Sequence, residues 1–172
     1  DRALKYIDQA LATAKPDPNA WILKAKIYKI RGFKQDALQA VNEAMALEED
    51  NLQTRLTRAA LLIDVRKYAA AERDVDYILE QIPREPRAKY LKAVIDAAQV
   101  EYSDSNANMT EIINILRSVP PEIMQNNPTY YYLAGLTNFQ FGNLDEAREN
   151  LQEYLKLERD DISAMRLLGA LE

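Results

Sequence analysis

The sequence predicts an all-α fold, a right-handed superhelical stack of antiparallel helix hairpins: an α-solenoid of about ten helices. Three observations predict it. Leu, Ala and Ile are interleaved with Glu, Lys, Arg and Gln, and only 4 of the 172 residues are Gly; these are strong helix formers. No stretch alternates apolar and polar residues as a half-buried strand would. Small residues also recur with a fixed period. Ala25, Ala59 and Ala93 lie 34 residues apart, as do Gly135 and Gly169, with one step of 42 between Ala93 and Gly135. Two further series keep the same phase: Ala3, Ala37, Ala71 and Ala147, and Ile7, Val41, Val75, Ile112 and Leu151. A repeat of this length marks hairpins that bury their apolar faces only by stacking on neighbours.

The elements follow in chain order. A helix is expected over 2–14. Paired helices follow at 18–31 with 34–47, 51–65 with 68–81, 86–101 with 108–119, and 128–141 with 144–157. A last helix covers 161–171. Asp17-Pro18, Glu85-Pro86 and Asn127-Pro128 open three of the first helices. Proline suits a first helical position, where no N–H is needed, and a preceding Asp or Asn caps the free N–H groups. Arg31-Gly32 and Phe141-Gly142-Asn143 mark the turns inside two hairpins.

These divisions describe one array over 1–172: a half repeat 1–17, repeats 18–51, 52–85, 86–127 and 128–161, and a half repeat 162–172. The third repeat is degenerate, and its extra residues are expected in two loops. About three fall in Tyr102-Ser103-Asp104-Ser105-Asn106-Ala107-Asn108, and about five follow Pro120, before Pro128. Both ends fall within a repeat, which predicts a segment of a longer array. Leu4, Ile7 and Leu11 on the first helix, and Met165, Leu168 and Leu171 on the last, are expected to face absent neighbours and to support weak self-association.

Composition restricts the chemistry. The chain has no Cys and no His, which removes disulfides, thiolate nucleophiles and the commonest general base and metal ligand. No catalytic, cofactor-binding or metal-binding residues are assigned, and the chain is not read as an enzyme. The net charge of -5 lacks the basic face that a nucleic-acid partner requires. No apolar run reaches the ~20 residues of a membrane helix. The pairs Asp74 with Asp76 and Asp160 with Asp161 have no further ligands at suitable spacing, and are read as solvated helix surface or caps.

Trp21, Ala25, Tyr28, Gly32, Ala37, Val41 and Ala44 resemble one full tetratricopeptide repeat, and Pro128, Gly135, Gly142, Ala147 and Leu151 resemble another. The resemblance implies an inner surface lined by the first helix of each hairpin. On the places that line it stand Ile22, Lys26, Leu56, Tyr90, Val94, Tyr132, Leu136 and Phe139. They are the candidate groove for a peptide or partner helix, with Tyr90 and Tyr132 as anchors. Tyr130, Tyr131 and Tyr132 spread over about 200° of a helix, so only Tyr132 is assigned to the groove. Some family members grip a chaperone's terminal carboxylate with converging Lys and Asn. Of the matching places here, Ile22, Lys26, Thr57, Arg87 and Leu91, only Lys26 and Arg87 fit in charge and no Asn is present, so this clamp is excluded. The implied function is a non-catalytic protein-binding scaffold; the alternative is an architectural spacer with no ligand of its own.

The second half is also similar to large repeat-containing lipoproteins that accompany exosortase and exopolysaccharide systems in Gram-negative bacteria. The similarity rests on Pro86-Arg87-Ala88-Lys89-Tyr90-Leu91-Lys92-Ala93, Tyr131-Tyr132-Leu133-Ala134-Gly135, Asn143-Leu144-Asp145-Glu146-Ala147 and Ala164-Met165-Arg166-Leu167-Leu168-Gly169. It implies a periplasmic or membrane-anchored parent protein that scaffolds polysaccharide or protein export at the cell envelope.

Overall fold

A computed structural model describes residues 2–13, 17–99 and 105–171. Among them are eleven helices and no strand: α1 (Arg2–Thr13), α2 (Pro18–Ile30), α3 (Lys34–Leu47), α4 (Leu52–Asp64), α5 (Tyr68–Gln81), α6 (Pro86–Gln99), α7 (Ser105–Ser118), α8 (Pro121–Met124), α9 (Pro128–Phe141), α10 (Leu144–Leu157) and α11 (Ile162–Gly169). The chain is all-helical, as its residue pattern predicts. It divides into two compact units, Asp1–Leu91 and Lys92–Glu172. In the first, α2 pairs with α3 and α4 with α5; in the second, α9 pairs with α10.

The first helices start on a repeated device. The side chains of Asp17, Asn51, Glu85, Asn127 and Asp161 accept from backbone N–H groups two or three residues on, at 2.6–3.2 Å. Their spacing reproduces the period, with the same single long step. Each satisfies donors that a helix start otherwise leaves unpaired.

The turns inside the hairpins are equally regular. Phe33 N–H donates to Tyr28 O at 2.9 Å, Lys67 N–H to Leu62 O at 2.8 Å, and Asn143 N–H to Asn138 O at 2.9 Å. The residue before each donor is left-handed: Gly32 at φ 79, Arg66 at φ 60 and Gly142 at φ 76. This is the helix-ending arrangement that glycine adopts without steric cost and a side-chain-bearing residue does not. Arg66→Gly is therefore expected to raise stability by about 0.5–1 kcal/mol, once the added freedom of the unfolded chain is discounted. A higher urea midpoint with an unchanged slope is the readout; a lower midpoint would show that Arg66 contributes more than it strains.

The periodic small residues are where backbones meet. Ala25, Ala59, Ala93, Ala37, Ala71 and Ala147 are fully buried, and Val41, Val75, Ile112 and Leu151 close the gaps beside them. Gly135 belongs to the same series. A Cβ on it would stand 2.8 Å from Cγ of Leu151, 3.0 Å from its Cδ2 and 3.4 Å from its backbone N, so α9 approaches α10 only because the side chain is missing. Gly169 continues the series in register, yet a Cβ there meets nothing within 4 Å.

Four expectations need correction. The segment after Pro120 is not wholly loop: it forms the short helix α8, which raises the count from about ten to eleven. Met124, its last residue, is buried, and Ile123 N–H donates to Pro120 O at 3.0 Å. Helix α7 begins at Ser105, three residues earlier than the expected 108; Tyr102, Ser103 and Asp104 of the expected loop lie outside the described residues, as does the expected end of the first helix at 14. Of the terminal residues expected to face outward, Ile7 is buried on α1, which packs against α2. Leu171 turns back onto Ala147, Leu151 and Ala164, and its carbonyl accepts from Arg148 Nη2 at 2.8 Å. Met165 alone of the six remains an exposed large apolar side chain.

Candidate functional site

The first helices carry the candidate surface, and the structure treats its residues unequally. On α2, Ile22 is half-buried and Lys26 exposed. Leu23 and Ile30 lie on the same side of the helix, within about 100° by the 3.6-residue turn, and are 50% and 85% exposed. The opposite side of α2 holds Trp21, the fully buried Ala25 and Tyr28. Lys24 Nζ sits 5.1 Å from the Trp21 ring centroid, 5.9 Å from that of Tyr28 and 2.7 Å from Asp8 Oδ1, which ties α1 to α2. Lys29 Nζ reaches Asp64 Oδ2 at 3.1 Å, so the end of α2 stands beside the end of α4. There Ala60 and Ile63 are half-buried.

Two of the candidates are not available to a partner. Leu56 on α4 is 7% exposed and Tyr90 on α6 is 8% exposed. Their apolar surface is consumed in packing, so Tyr90 does not present the open ring expected of an anchor. In the second unit Val94, Tyr132, Leu136 and Phe139 are half-buried. Tyr132 and Phe139 pack on the Ala147, Leu151, Ala164 and Leu171 cluster, and the Tyr132 ring lies 5.1 Å from that of Tyr154. Tyr130 and Tyr131 instead meet each other edge-on at 5.3 Å, while the Tyr132 ring packs on Tyr154, so the three consecutive rings do not all face one way.

The polar chemistry is mostly structural. Asp74, expected on solvated surface, is 2% exposed. Arg58 grips it with Nε to Oδ2 at 2.7 Å and Nη2 to Oδ1 at 2.6 Å, and Arg55 Nη1 adds a third bond at 3.2 Å. The hydrogen bond to Asp74 holds the Arg58 guanidinium above its ordinary value, against the opposing effect of burial. Arg55 also donates to Glu49 O at 2.8 Å and stacks 3.9 Å from the Tyr77 ring centroid. A signal for this cluster exists in the sequence. Asp74 stands three residues after Ala71 and four before Ile78, on the buried stripe of α5, and Arg55 and Arg58 share one face of α4.

Asp161 is a second structural acid. It caps α11 and accepts from the Tyr154 hydroxyl at 2.7 Å. The Tyr154 bond, then the Ala164 N–H, hold its carboxyl below the usual range, while burial, then that bond, push the Tyr154 hydroxyl up. Among the described residues, no three carboxylates gather as a metal site, and no helix is long and apolar enough to cross a membrane.

The repeating caps, left-handed turns and close helix pairs define the chain as a protein with the tetratricopeptide-type helical-hairpin fold. Comparison with solved structures agrees. The chain is similar to TTC0263, a thermophilic TPR protein of Thermus thermophilus, with a TM-score of 0.65 at 13% identity over 90% of this chain and 81% of that one. It is similar to YrrB, a TPR protein with an unusual peptide-binding site, with a TM-score of 0.58 at 17% identity over 96% and 81%. The Cut9–Hcn1 assembly of the APC/C gives a TM-score of 0.74 at 14% identity, over 97% of this chain and 32% of that one. No family model and no curated protein matches the sequence.

Proposed function

We propose that the chain is a non-catalytic scaffold that binds a peptide or partner helix on the exposed faces of its first helices. The observation that carries this reading is the α2 face, where Leu23 and Ile30 stand 50% and 85% exposed beside Ile22 and Lys26. Apolar side chains grouped on one face around a cation offer contact area and a charged rim, as interaction surfaces do. The half-buried Val94, Tyr132, Leu136 and Phe139 extend the reading to the second unit. The peptide-binding site named for YrrB supports it by analogy of fold. Action at the cell envelope, in exopolysaccharide or protein export by a membrane-anchored parent, is the finer form of this proposal and rests on the sequence resemblance.

A second reading, an architectural spacer, draws on the burial of Leu56 and Tyr90 and the packing of Tyr132 and Phe139 against neighbouring helices. A photo-crosslinking residue at Ile30 and another at the exposed Gln39 of α3 separate the two in cells of the native host. The scaffold reading expects one discrete protein adduct from position 30 that position 39 does not give. It also expects Leu23→Ala with Ile30→Glu to weaken the isolated complex at least about tenfold, as truncated hot spots do. Equal adducts from both positions, or none, would favour the spacer.

A further inference from the structure

We propose that the exposed α2 face takes an acidic amphipathic helix of a partner protein. The inference rests on the scaffold reading of that face and names the chemistry of its partner. Between Asp17 and Asp36 the chain carries Lys24, Lys26, Lys29, Arg31 and Lys34 and no acidic residue, although its net charge is -5. Basic charge is therefore concentrated on the segment that also exposes Leu23, Ile30 and Phe33.

At the centre of the face this charge is not neutralised. Lys24 is paired with Asp8 of α1, and Lys29, near the end of α2, is paired with Asp64 of α4. Lys26 is exposed and meets no carboxylate among the described residues. It stands three residues after Leu23 and four before Ile30, so the three share one side of α2. The same places one repeat on, Thr57, Ala60 and Ile63 of α4, are uncharged and half-buried.

Leu23 and Ile30 lie seven residues apart, two helical turns and about 10 Å along the axis. A helix laid along α2 repeats its own contacts at that interval. Apolar residues seven apart on the partner would meet Leu23 and Ile30, and a carboxylate between them would meet Lys26. Apolar contact on both sides shields such a pair from water, where charge attraction exceeds that at an open surface. A basic partner would set like charges together. A wholly apolar one would cover Lys26 without a counter-charge. A lipid surface fits less well: its anions lie in the headgroup plane, whereas Lys26 lies between the apolar side chains that would have to enter the bilayer.

The test titrates the full chain with fluorescein-labelled synthetic helices of about 20 residues, long enough to hold helical structure. One has Leu on a single face and Glu around it. The second has Lys in place of Glu, and the third has the composition of the first with its Leu scattered. The first is expected to bind with a Kd on the order of 10 μM at low salt, and the other two at least about tenfold more weakly. Lys26→Glu should weaken the acidic helix by at least about tenfold and strengthen the basic one. Arg84→Glu makes the same change in net charge at another exposed position of the first unit, and should leave both nearly unchanged. Lys26→Gln serves if the charge-reversed variant does not fold by circular dichroism. Equal binding of the three helices, or unchanged affinity in the Lys26 variants, would overturn the proposal; a discrete adduct from position 30 would then keep the scaffold reading with a partner of other chemistry. Two further outcomes would also overturn it. Vesicles of phosphatidylcholine and phosphatidylserine bound in place of the acidic helix, and lost in Lys26→Glu, would assign the face to a lipid surface. A dimer of the chain alone in sedimentation velocity, dissolved by Lys26→Glu, would assign it to a second copy.

Discussion

Asp74→Ala is expected to destabilise the first unit by about 3 kcal/mol, the largest single effect foreseen in this chain. The carboxylate is 2% exposed and accepts three bonds from Arg55 and Arg58, whose side chains are 12% and 25% exposed. Removing it strands two guanidinium groups with little access to water. Breaking a buried ion pair on one side costs about 3–5 kcal/mol, and the residual exposure of the two arginines favours the low end of that range. Urea denaturation followed by circular dichroism measures it. The triple variant Asp74→Leu, Arg55→Met, Arg58→Leu separates stranded charge from lost packing, because an apolar replacement of a whole buried ionic group is often neutral or stabilising. A triple variant as unstable as Asp74→Ala would locate the cost in shape; a triple variant near the parent would locate it in the unpaired arginines. Asp74→Ala unfolding at the parent's midpoint would mean that the cluster contributes nothing net.

Gly135→Leu is expected to cost about 1–3 kcal/mol through overpacking of the α9–α10 contact. The clash is with the centre of a neighbour rather than a flexible tip. A Cβ at 135 would stand 2.8 Å from Cγ of Leu151, a residue with no exposed surface into which to retreat. Gly169→Ala provides the opposite case at the same place in the repeat. Nothing lies within 4 Å of its Cβ position, so the helix-forming advantage of alanine should appear uncompensated, at about 0.5 kcal/mol or less so near a helix end. The pair of variants tests the phase of the repeat directly. Opposite signs in thermal unfolding fit the packing described; a Gly135→Leu protein that melts like the parent would place the α9–α10 contact elsewhere.

Much of the architecture can be read in the residues because it depends on local chemistry repeated at a constant spacing. The caps at Asp17, Glu85 and Asn127, the turns at Gly32 and Gly142, and the buried Ala and Val series each follow from backbone hydrogen-bonding and side-chain volume within one hairpin. The remaining caps, at Asn51 and Asp161, fall on the same phase without the proline that draws attention to the others. The site was less legible. Leu56, Tyr90, Tyr132 and Phe139 all occupy places that the family resemblance assigns to an inner surface, and those places say nothing about how far a neighbouring helix covers them.

The residue pattern by itself determined the all-helical class, the hairpin repeat and the positions where backbones come closest. These need only the helical period, the caps and the absence of a side chain at a few points. Tertiary structure decided how completely the polar and aromatic groups are withdrawn from water. Asp74 is buried because two arginines 16 and 19 residues earlier converge on it from α4, and Tyr90 is closed to a partner because packing covers its ring. Burial is a property of the distance between helices, and spacing along one helix carries no information about that distance.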